Sequence, residues 1–213
     1  GVTAFASNVE IECAEKSILQ NRLNRIQMCD ANVIQIGIIA SYKNPYKGIE
    51  ILLKSVSMLR AQYNIEVSVR LLGSGDSEFL ADVVSRNNAG GWFNHEGVLP
   101  SERIPGWLDS IDIYCQPSLT EGLPRALIEA MSRACPCVGS QVGGIPELLA
   151  QFAMVDPGDC LQLTDKLHQF ISSKYILVRE ANANFVTARD YNPDVLDARR
   201  NDYFFRVARV LGA

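Results

Sequence analysis

VIQIGIIASYKNPYKGIEILLKSVSMLRAQ, residues 33–62, decides the fold. Its first part, residues 33–40, is a mostly apolar run with the length of a buried strand. In residues 48–62 the apolar side chains recur every three or four positions, which is the period of an amphipathic helix. These side chains are Ile49, Leu52, Leu53, Val56 and Leu59. The segment therefore predicts the first strand-helix unit of an α/β domain.

The same alternation continues along the chain. Further apolar runs of strand length occupy residues 65–73, 92–99, 111–118, 136–140 and 152–155. Helical patterns occupy residues 77–86, 124–134, 160–173, 178–189 and 193–211, and a short helix interrupted by Pro105 is predicted within residues 101–110. Short strands alternating with helices indicate one Rossmann-like, doubly wound parallel sheet covered on both faces. Ligands bind such sheets at the carboxyl ends of the strands.

The segment TEGLPRALIEAM, residues 120–131, carries the clearest chemical signal. Pro124 is predicted to begin a helix, so Glu121 lies at its N-terminus and Glu129 about 12 Å further along. The free N–H groups between them form an anion site, and Gly122 allows close backbone approach. A nucleoside diphosphate sugar, with hydroxyls on both sides of its phosphates, fits this layout. Taken as bare residues, Glu121 is better read as a capping carboxylate and Glu129 as a solvated helix residue. Gly122 and the preceding strand then favour the ligand-binding interpretation.

Composition excludes several classes of function. The chain has 213 residues, with 20 Lys plus Arg against 24 Asp plus Glu, and its net charge of -4 argues against a nucleic-acid partner. No apolar run reaches the roughly 18 residues of a membrane span, and the first residues do not resemble a signal peptide. The six cysteines lack CxxC spacing, which favours reduced thiols in the cytoplasm over a disulfide framework or a zinc site. They are Cys13, Cys29, Cys115, Cys135, Cys137 and Cys160.

Two other catalytic classes are disfavoured by missing motifs. The GSGD segment that follows the second strand lacks the third glycine of GxGxxG, so hydride transfer with a dinucleotide is not expected. No GxSxG turn occurs and neither His95 nor His168 has a suggestive context, so a serine or cysteine nucleophile is not expected either.

Residues 116–149, QPSLTEGLPRALIEAMSRACPCVGSQVGGIPELL, resemble the nucleotide-sugar domain of retaining glycosyltransferases of the GT-B type, the group 1 family. The shared features are PS-x-x-EG, two glutamates separated by seven residues, EAM after the second glutamate, and a GGIPE turn. KNPYKGIEILLKS at residues 43–55 and LLGSGD at residues 71–76 add further likeness. The motifs follow one another in order over most of residues 33–155.

The resemblance implies a role for each matching residue. Glu121 would hydrogen-bond the donor sugar and Lys47 would neutralise the departing diphosphate, so these two are the expected catalytic residues. Taken alone, without the motif, Lys47 is better read as a solvated lysine at a helix start. Glu129 would bind the ribose hydroxyls, and His95 stands at the start of the base-binding segment. The other expected donor-binding residues are Ser41, Lys43, Gly97, Val98, Leu99, Gly122, Leu123 and Arg125.

Two departures from the family pattern concern the diphosphate. Family members usually carry a glycine-arginine pair after the first strand, whereas this chain has Ala40, Ser41, Tyr42 and Lys43. Either Lys43 or Arg125 supplies the second cation, or the diphosphate is held less firmly. Pro124 stands where many members have glycine, and it removes one N–H from the anion site.

The resemblance also implies a domain organisation. Residues 1–213 would be the donor-binding, C-terminal half of a GT-B fold, with a linking segment at residues 1–30 and a crossover helix at residues 193–211. The acceptor-binding N-terminal domain would be missing, so the chain alone is expected to be inactive. The intact enzyme would make a glycan, glycolipid or polysaccharide in the cytoplasm, in solution or at a membrane, without metal or cofactor. Two alternatives stay open: a non-catalytic nucleotide-sugar-binding module and a GT-B type nucleotide-sugar epimerase.

Overall fold

The computed structural model of the chain describes residues 11, 15–28, 33–43 and 45–211. The strands of this part are β1 Ile34–Ile39, β2 Val67–Leu72, β3 Phe93–His95, β4 Ile113–Gln116, β5 Cys137–Ser140 and β6 Met154–Val155. The helices are α1 Lys16–Met28, α2 Ile49–Tyr63, α3 Ser77–Arg86, α4 Ile104–Asp109, α5 Arg125–Ser132, α6 Cys160–Ile171, α7 Lys174–Ala188 and α8 Pro193–Leu211.

The strands form one parallel sheet in the order β3-β2-β1-β4-β5-β6. The chain winds outward from β1 in one direction and, from β4, in the other, so the predicted Rossmann-like, doubly wound sheet is confirmed. The strand order reverses between β1 and β4, and ligands of such sheets bind in the crevice beyond the carboxyl ends of these two strands. The segments that follow β1 and β4 are therefore the first place to look for a site.

The sheet is buried on both of its faces, as a parallel sheet between helices requires. Ile36, Ile38 and Tyr114 are completely buried. Gly37 of β1 has no side chain because none fits: a Cβ there would lie 2.4 Å from Cδ1 of Ile111 and 2.9 Å from the Trp107 ring. This glycine lets α4 pack directly against the centre of the sheet.

Both proline positions differ from the sequence prediction. Pro124 is the residue before α5 and has extended backbone angles (φ -75°, ψ 108°), so the helix begins at Arg125. The same helix ends at Ser132, before Ala134 takes a left-handed conformation (φ 51°). Pro105 does not interrupt α4, because it lies in the first turn, where a missing N–H breaks no helical hydrogen bond.

The predicted linking segment, residues 1–30, is described only at residue 11 and residues 15–28, where α1 forms. Buried Arg22 of α1 donates to the carbonyl oxygens of Leu108 (2.8 Å) and Ile111 (2.6 Å), which fixes the helix to the domain. Among the described residues, no helix combines the length and the apolar character that a membrane crossing requires.

The cysteines of the described part are free thiols, and Cys115, Cys135 and Cys137 are fully buried. Burial raises the pKa of the Cys115 and Cys137 thiols, so both stay protonated and pack as small apolar groups. Cys115 and Cys137 therefore contribute to the packing of the core. Cys13 and Cys29 lie outside the described residues.

Candidate functional site

Lys47 and Glu121 meet at the reversal point of the sheet. Lys47 ends a short 3-10 turn after β1, and Glu121 lies in the loop between β4 and α5. The Lys47 ammonium lies 2.9 Å from Oε1 and 2.8 Å from Oε2 of Glu121. The N–H of Leu119 donates to the carbonyl of Tyr46 at 2.7 Å, which joins the two segments through the backbone. The two residues expected to be catalytic are therefore in direct contact.

A chain of hydrogen bonds from β4 and the residues after it orients the Glu121 carboxylate. Its Oε2 accepts from the Ser118 hydroxyl at 2.9 Å and from the Gln116 amide at 3.3 Å. The Tyr114 hydroxyl donates to the other end of the Gln116 amide at 2.8 Å. Sequence reasoning missed Gln116, Ser118 and Tyr114 as parts of the site. The signal in the sequence was the run of polar side chains at the end of β4, a strand that is buried throughout. These side chains are Tyr114, Gln116 and Ser118.

Two glycines allow the loops around Glu121 to pack this closely. Gly48, next to Lys47, has φ 73°, and a Cβ there would lie 1.9 Å from the carbonyl oxygen of Pro117. Gly143 has φ 54°, and a Cβ there would lie 1.9 Å from the carbonyl oxygen of Glu121. The neighbouring Gly144 N–H donates to the Gly122 carbonyl at 2.7 Å. The GGIPE turn therefore supports the backbone of the Glu121 loop.

The tip of α5 is open toward this loop. No side chain among the described residues caps the helix, so its first N–H groups are free to bind an anion. Gly122 and Arg125 are exposed, whereas Leu123 is half-buried and packs against the core. Pro124 is the N-cap residue of α5, and the N–H of an N-cap residue is one of the free donors at a helix tip. Its missing N–H therefore leaves one donor fewer there, and the N–H groups that can meet an anion begin at Arg125.

Glu129 lies in a different environment, on the side of α5 that faces α4. It lines a cavity of about 340 Å³ together with Ser101, Glu102, Ile104, Pro105, Leu108 and Arg133. Its carboxylate has no hydrogen-bond or ion-pair partner among the described residues. Burial raises the pKa of Glu129, and the Arg125 charge opposes this rise only in part. The cavity thus places the Glu129 carboxylate among apolar side chains and the polar side chains of Ser101, Glu102 and Arg133.

The segment after β1 carries two of the expected donor-binding residues. Ser41 and Lys43 are exposed, and neither joins the contacts around Glu121. Tyr42 between them is buried, with its hydroxyl 3.1 Å from Nε2 of His95. The same His95 nitrogen lies 3.0 Å from the Gly73 carbonyl, so the side chains of Tyr42 and His95 link the loops after β1, β2 and β3.

The predicted base-binding residues lie beside the Glu129 cavity but do not line it. Gly97 has φ 71° and its carbonyl accepts from the Gly73 N–H at 2.7 Å. Val98 is 69% exposed and Leu99 packs partly on the core. Ser101 and Glu102, which follow this loop, reach the cavity instead. Sequence reasoning missed these two residues, because the path of the loop after β3 has no local signature.

Comparison with known proteins identifies the family of the chain. The family model for glycosyl transferases group 1 matches residues 33–173, which include Lys47, Glu121, Glu129 and the whole sheet. The chain belongs to this family. In the described part of this group 1 chain, no three His, Cys, Asp or Glu side chains cluster as metal ligands would.

Protein CapJ of Staphylococcus aureus is 28% identical over 182 residues, covering 84% of this group 1 chain and 46% of CapJ. Among solved structures, the C-terminal domain of LpcC, a group 1 glycosyl transferase of Francisella tularensis, superposes with a TM-score of 0.68 at 21% identity. The match covers 82% of this chain and 94% of that one. Anabaena HepE, solved with UDP and glucose, superposes with a TM-score of 0.69 at 20% identity, over 93% of this chain and 53% of HepE. The fold is thus confirmed as the C-terminal half of a GT-B structure.

Proposed function

We propose that this chain binds the nucleoside diphosphate sugar of a glycosyltransferase and stabilises the diphosphate as it leaves. The observation that carries the proposal is the Lys47–Glu121 pair beside the open tip of α5, with Glu129 in a separate cavity on the same helix. A fixed cation and free helix N–H groups stabilise the negative charge that develops on a departing phosphate. Family membership and the UDP complex of HepE support the same assignment.

The proposal gives each end of the donor its own region. The diphosphate lies at the tip of α5, where Lys47 and the N–H groups meet it, and Arg125 or Lys43 supplies the second cation. Glu121, oriented by Ser118 and Lys47, accepts hydrogen bonds from the sugar hydroxyls. Glu129 accepts from the ribose hydroxyls inside the cavity, and the base extends toward the loop of residues 97–102. In this scheme, departure of the diphosphate requires neither a metal ion nor a cofactor.

Transfer itself is proposed to require a second, acceptor-binding domain. The chain spans about half the length of CapJ and HepE. We expect no appreciable turnover by this chain alone, and expect the intact enzyme to build a glycan, glycolipid or polysaccharide in the cytoplasm. Retention of the anomeric configuration is part of the proposal on the strength of the motif likeness. The proton NMR spectrum of the product's anomeric position tests it.

Donor binding is tested by calorimetric titration of the chain with UDP, GDP and ADP. One of them should bind, and at 100 times its Kd it should raise the free energy of unfolding by about 2.7 kcal/mol. Lys47→Met should weaken that nucleotide about a hundredfold, the loss expected for a strong charge-assisted contact. Lys54→Met removes the same charge from an exposed position on α2 and should leave the affinity unchanged. No binding by the wild-type chain, or equal losses in both variants, would refute the proposal.

A further inference from the structure

A cluster outside the donor contacts joins β2, the residue after β3, and α4, and α4 also lines the Glu129 cavity. Arg70 of β2 faces Glu96, the residue after β3, and its Nε and Nη2 donate to the two carboxylate oxygens. Both side chains are about one-fifth exposed. A two-pronged contact of this kind fixes orientation as well as distance. The hydrogen bond and charge of Arg70 lower the pKa of Glu96, so the pair stays ionised at neutral pH.

Trp107 brings α4 into the same cluster. Its indole N–H donates to Oε2 of Glu96 at 2.9 Å, and the Arg70 guanidinium lies 5.4 Å from its ring centre. The Nη1 of Arg70 also donates to the hydroxyl of Ser110, just past the end of α4, at 2.7 Å. Arg70 and Glu96 thus hold α4 at two points.

A helix of six residues is not stable on its own, so the position of α4 is set by its tertiary contacts. Arg22 and Arg133 hold the Leu108 carbonyl and the Asp109 carboxylate, and Arg70 with Glu96 holds Trp107 and Ser110. One side of α4 carries Trp107 toward Arg70 and the sheet. Another side carries Ile104, Pro105 and Leu108, which form the wall of the cavity that contains Glu129. A shift of α4 would therefore change the width of that cavity while leaving Lys47 and Glu121 in place.

We propose that Arg70, Glu96 and Trp107 form a positioning clamp that sets the width of the nucleoside end of the donor site. The inference rests on the proposed function, since it requires a nucleoside in the Glu129 cavity. The clamp residues act through α4 and through the loop after Glu96. They are positioning residues, and the diphosphate end of the site does not depend on them.

The chain contains a matched control at the opposite end of β2. Arg60 of α2 pairs with Glu66 at 2.7 Å and lies 5.8 Å from the ring centre of Trp92. It also donates to the carbonyl of Val67, at the start of the strand. This second cluster has the same three residue types, with a more exposed glutamate, and lies at the amino edge of the sheet, away from the cavity. Replacing Arg60 therefore tests the general cost of losing such a cluster.

The clamp is tested by titrating wild type, Arg70→Met, Glu96→Gln and Arg60→Met with UDP, GDP, ADP and inorganic pyrophosphate. Arg70→Met and Glu96→Gln should raise the Kd of the preferred nucleoside diphosphate about tenfold, as expected when charge-assisted contacts that fix the wall are lost. Neither should change the Kd of pyrophosphate. Arg60→Met should change neither the Kd of the nucleoside diphosphate nor the Kd of pyrophosphate. Replacing Trp92 by Phe leaves Trp107 as the remaining tryptophan, so its fluorescence can be measured alone. In this background, both clamp variants should shift the fluorescence emission of Trp107 to longer wavelength.

Each other result counts against the clamp. Unchanged nucleotide affinity in Arg70→Met and Glu96→Gln overturns it, and so do equal losses for nucleotide and pyrophosphate, which would indicate general damage. An equal loss in Arg60→Met overturns it too. If Arg70→Met does not fold, the milder Glu96→Gln decides. A wild-type chain that binds pyrophosphate but no nucleoside diphosphate refutes the proposed function itself, and the clamp falls with it.

Discussion

Glu121 and Glu129 stand eight positions apart in one motif but lie in opposite surroundings. Glu121 accepts hydrogen bonds from Lys47, Ser118 and Gln116. Glu129 has no such partner in the described part of the chain, and burial raises its pKa. Hydrogen bonds hold the first carboxylate in one arrangement before any ligand arrives. The oxygens of the second carboxylate remain free to accept hydrogen bonds inside a cavity, as the binding of ribose hydroxyls would require.

The difference teaches how a single helix can serve two chemical tasks. The tip of α5 and the loop before it form a charged region, where fixed donors and a cation suit a diphosphate and its sugar. One turn further, the cavity beside α4 and α5 combines apolar side chains with polar ones, among them Ser101, Glu102 and Glu129. Such a mixture offers an apolar surface to a base and hydrogen-bond acceptors to a ribose. The following predictions are designed to separate these two regions.

The largest effect is expected from Gly143→Ala, which attacks the support of the charged region. The new Cβ would lie 1.9 Å from the Glu121 carbonyl oxygen, at a left-handed position with φ 54°. We expect a loss of about 3 kcal/mol in the free energy of unfolding, measured by urea denaturation. Gly122→Ala is the control, because a Cβ at Gly122 meets nothing within 4 Å. A Gly143→Ala chain as stable as the control would show that the loop is not supported there.

Lys47→Met should also destabilise the free chain, by about 2 kcal/mol, because it leaves the largely buried Glu121 carboxylate without its cation. The double variant Lys47→Met with Glu121→Gln should recover part of that loss, since the amide carries no charge to compensate. Urea denaturation of the four chains gives the coupling. If the losses of unfolding free energy in the two single variants simply add, Lys47 and Glu121 are not coupled. The contrast between a charged region and a cavity would then lack its ion pair.

Glu129→Gln should weaken the preferred nucleoside diphosphate about tenfold, because the amide is a poorer acceptor for ribose hydroxyls than a carboxylate. Inorganic pyrophosphate should bind as it does to wild type, since it reaches only the tip of α5. Lys47→Met should weaken both ligands. Calorimetric titration measures all four affinities. If Glu129→Gln changes the two ligands equally, the proposed division between the two regions is wrong.

The sheet was predictable from the sequence because the patterns that specify it are local. Apolar periodicity separates strands from helices residue by residue, and connection rules then restrict the topology to a doubly wound sheet. Once the order is known, the loops that follow β1 and β4 must meet, so the proximity of Lys47 and Glu121 follows from position along the chain alone. The helix boundary at Pro124 was misjudged by one residue, because its φ suits both the residue before a helix and the first helical residue.

The lining of the site was less predictable because it depends on tertiary contacts. Ser101 and Glu102 reach the cavity because of the path that the segment between β3 and α4 takes through space. The Ser118 hydroxyl and Gln116 amide point to Glu121 because β4 is buried on both faces. Nothing in the local pattern separates such side chains from ordinary turn residues. A motif can therefore name the functional carboxylates while leaving their partners unidentified.

The smallest effect is a pH dependence that distinguishes the second carboxylate. Burial raises the folded-state pKa of Glu129 above its ordinary value of 4.5, so the neutral form fits the folded chain better. Its contribution to stability is then fully present below pH 4.5 and is lost as the pH rises through the folded pKa. Thermal unfolding of wild type and Glu129→Gln should therefore show a difference in Tm that moves in favour of the Gln variant between pH 4 and pH 7. Glu78→Gln, at an exposed position on α3, controls for the loss of a carboxylate in general. A Tm difference that does not change with pH would mean that the folded chain accepts the charge of Glu129 without cost, and the contrast with Glu121 would then rest on hydrogen bonding alone.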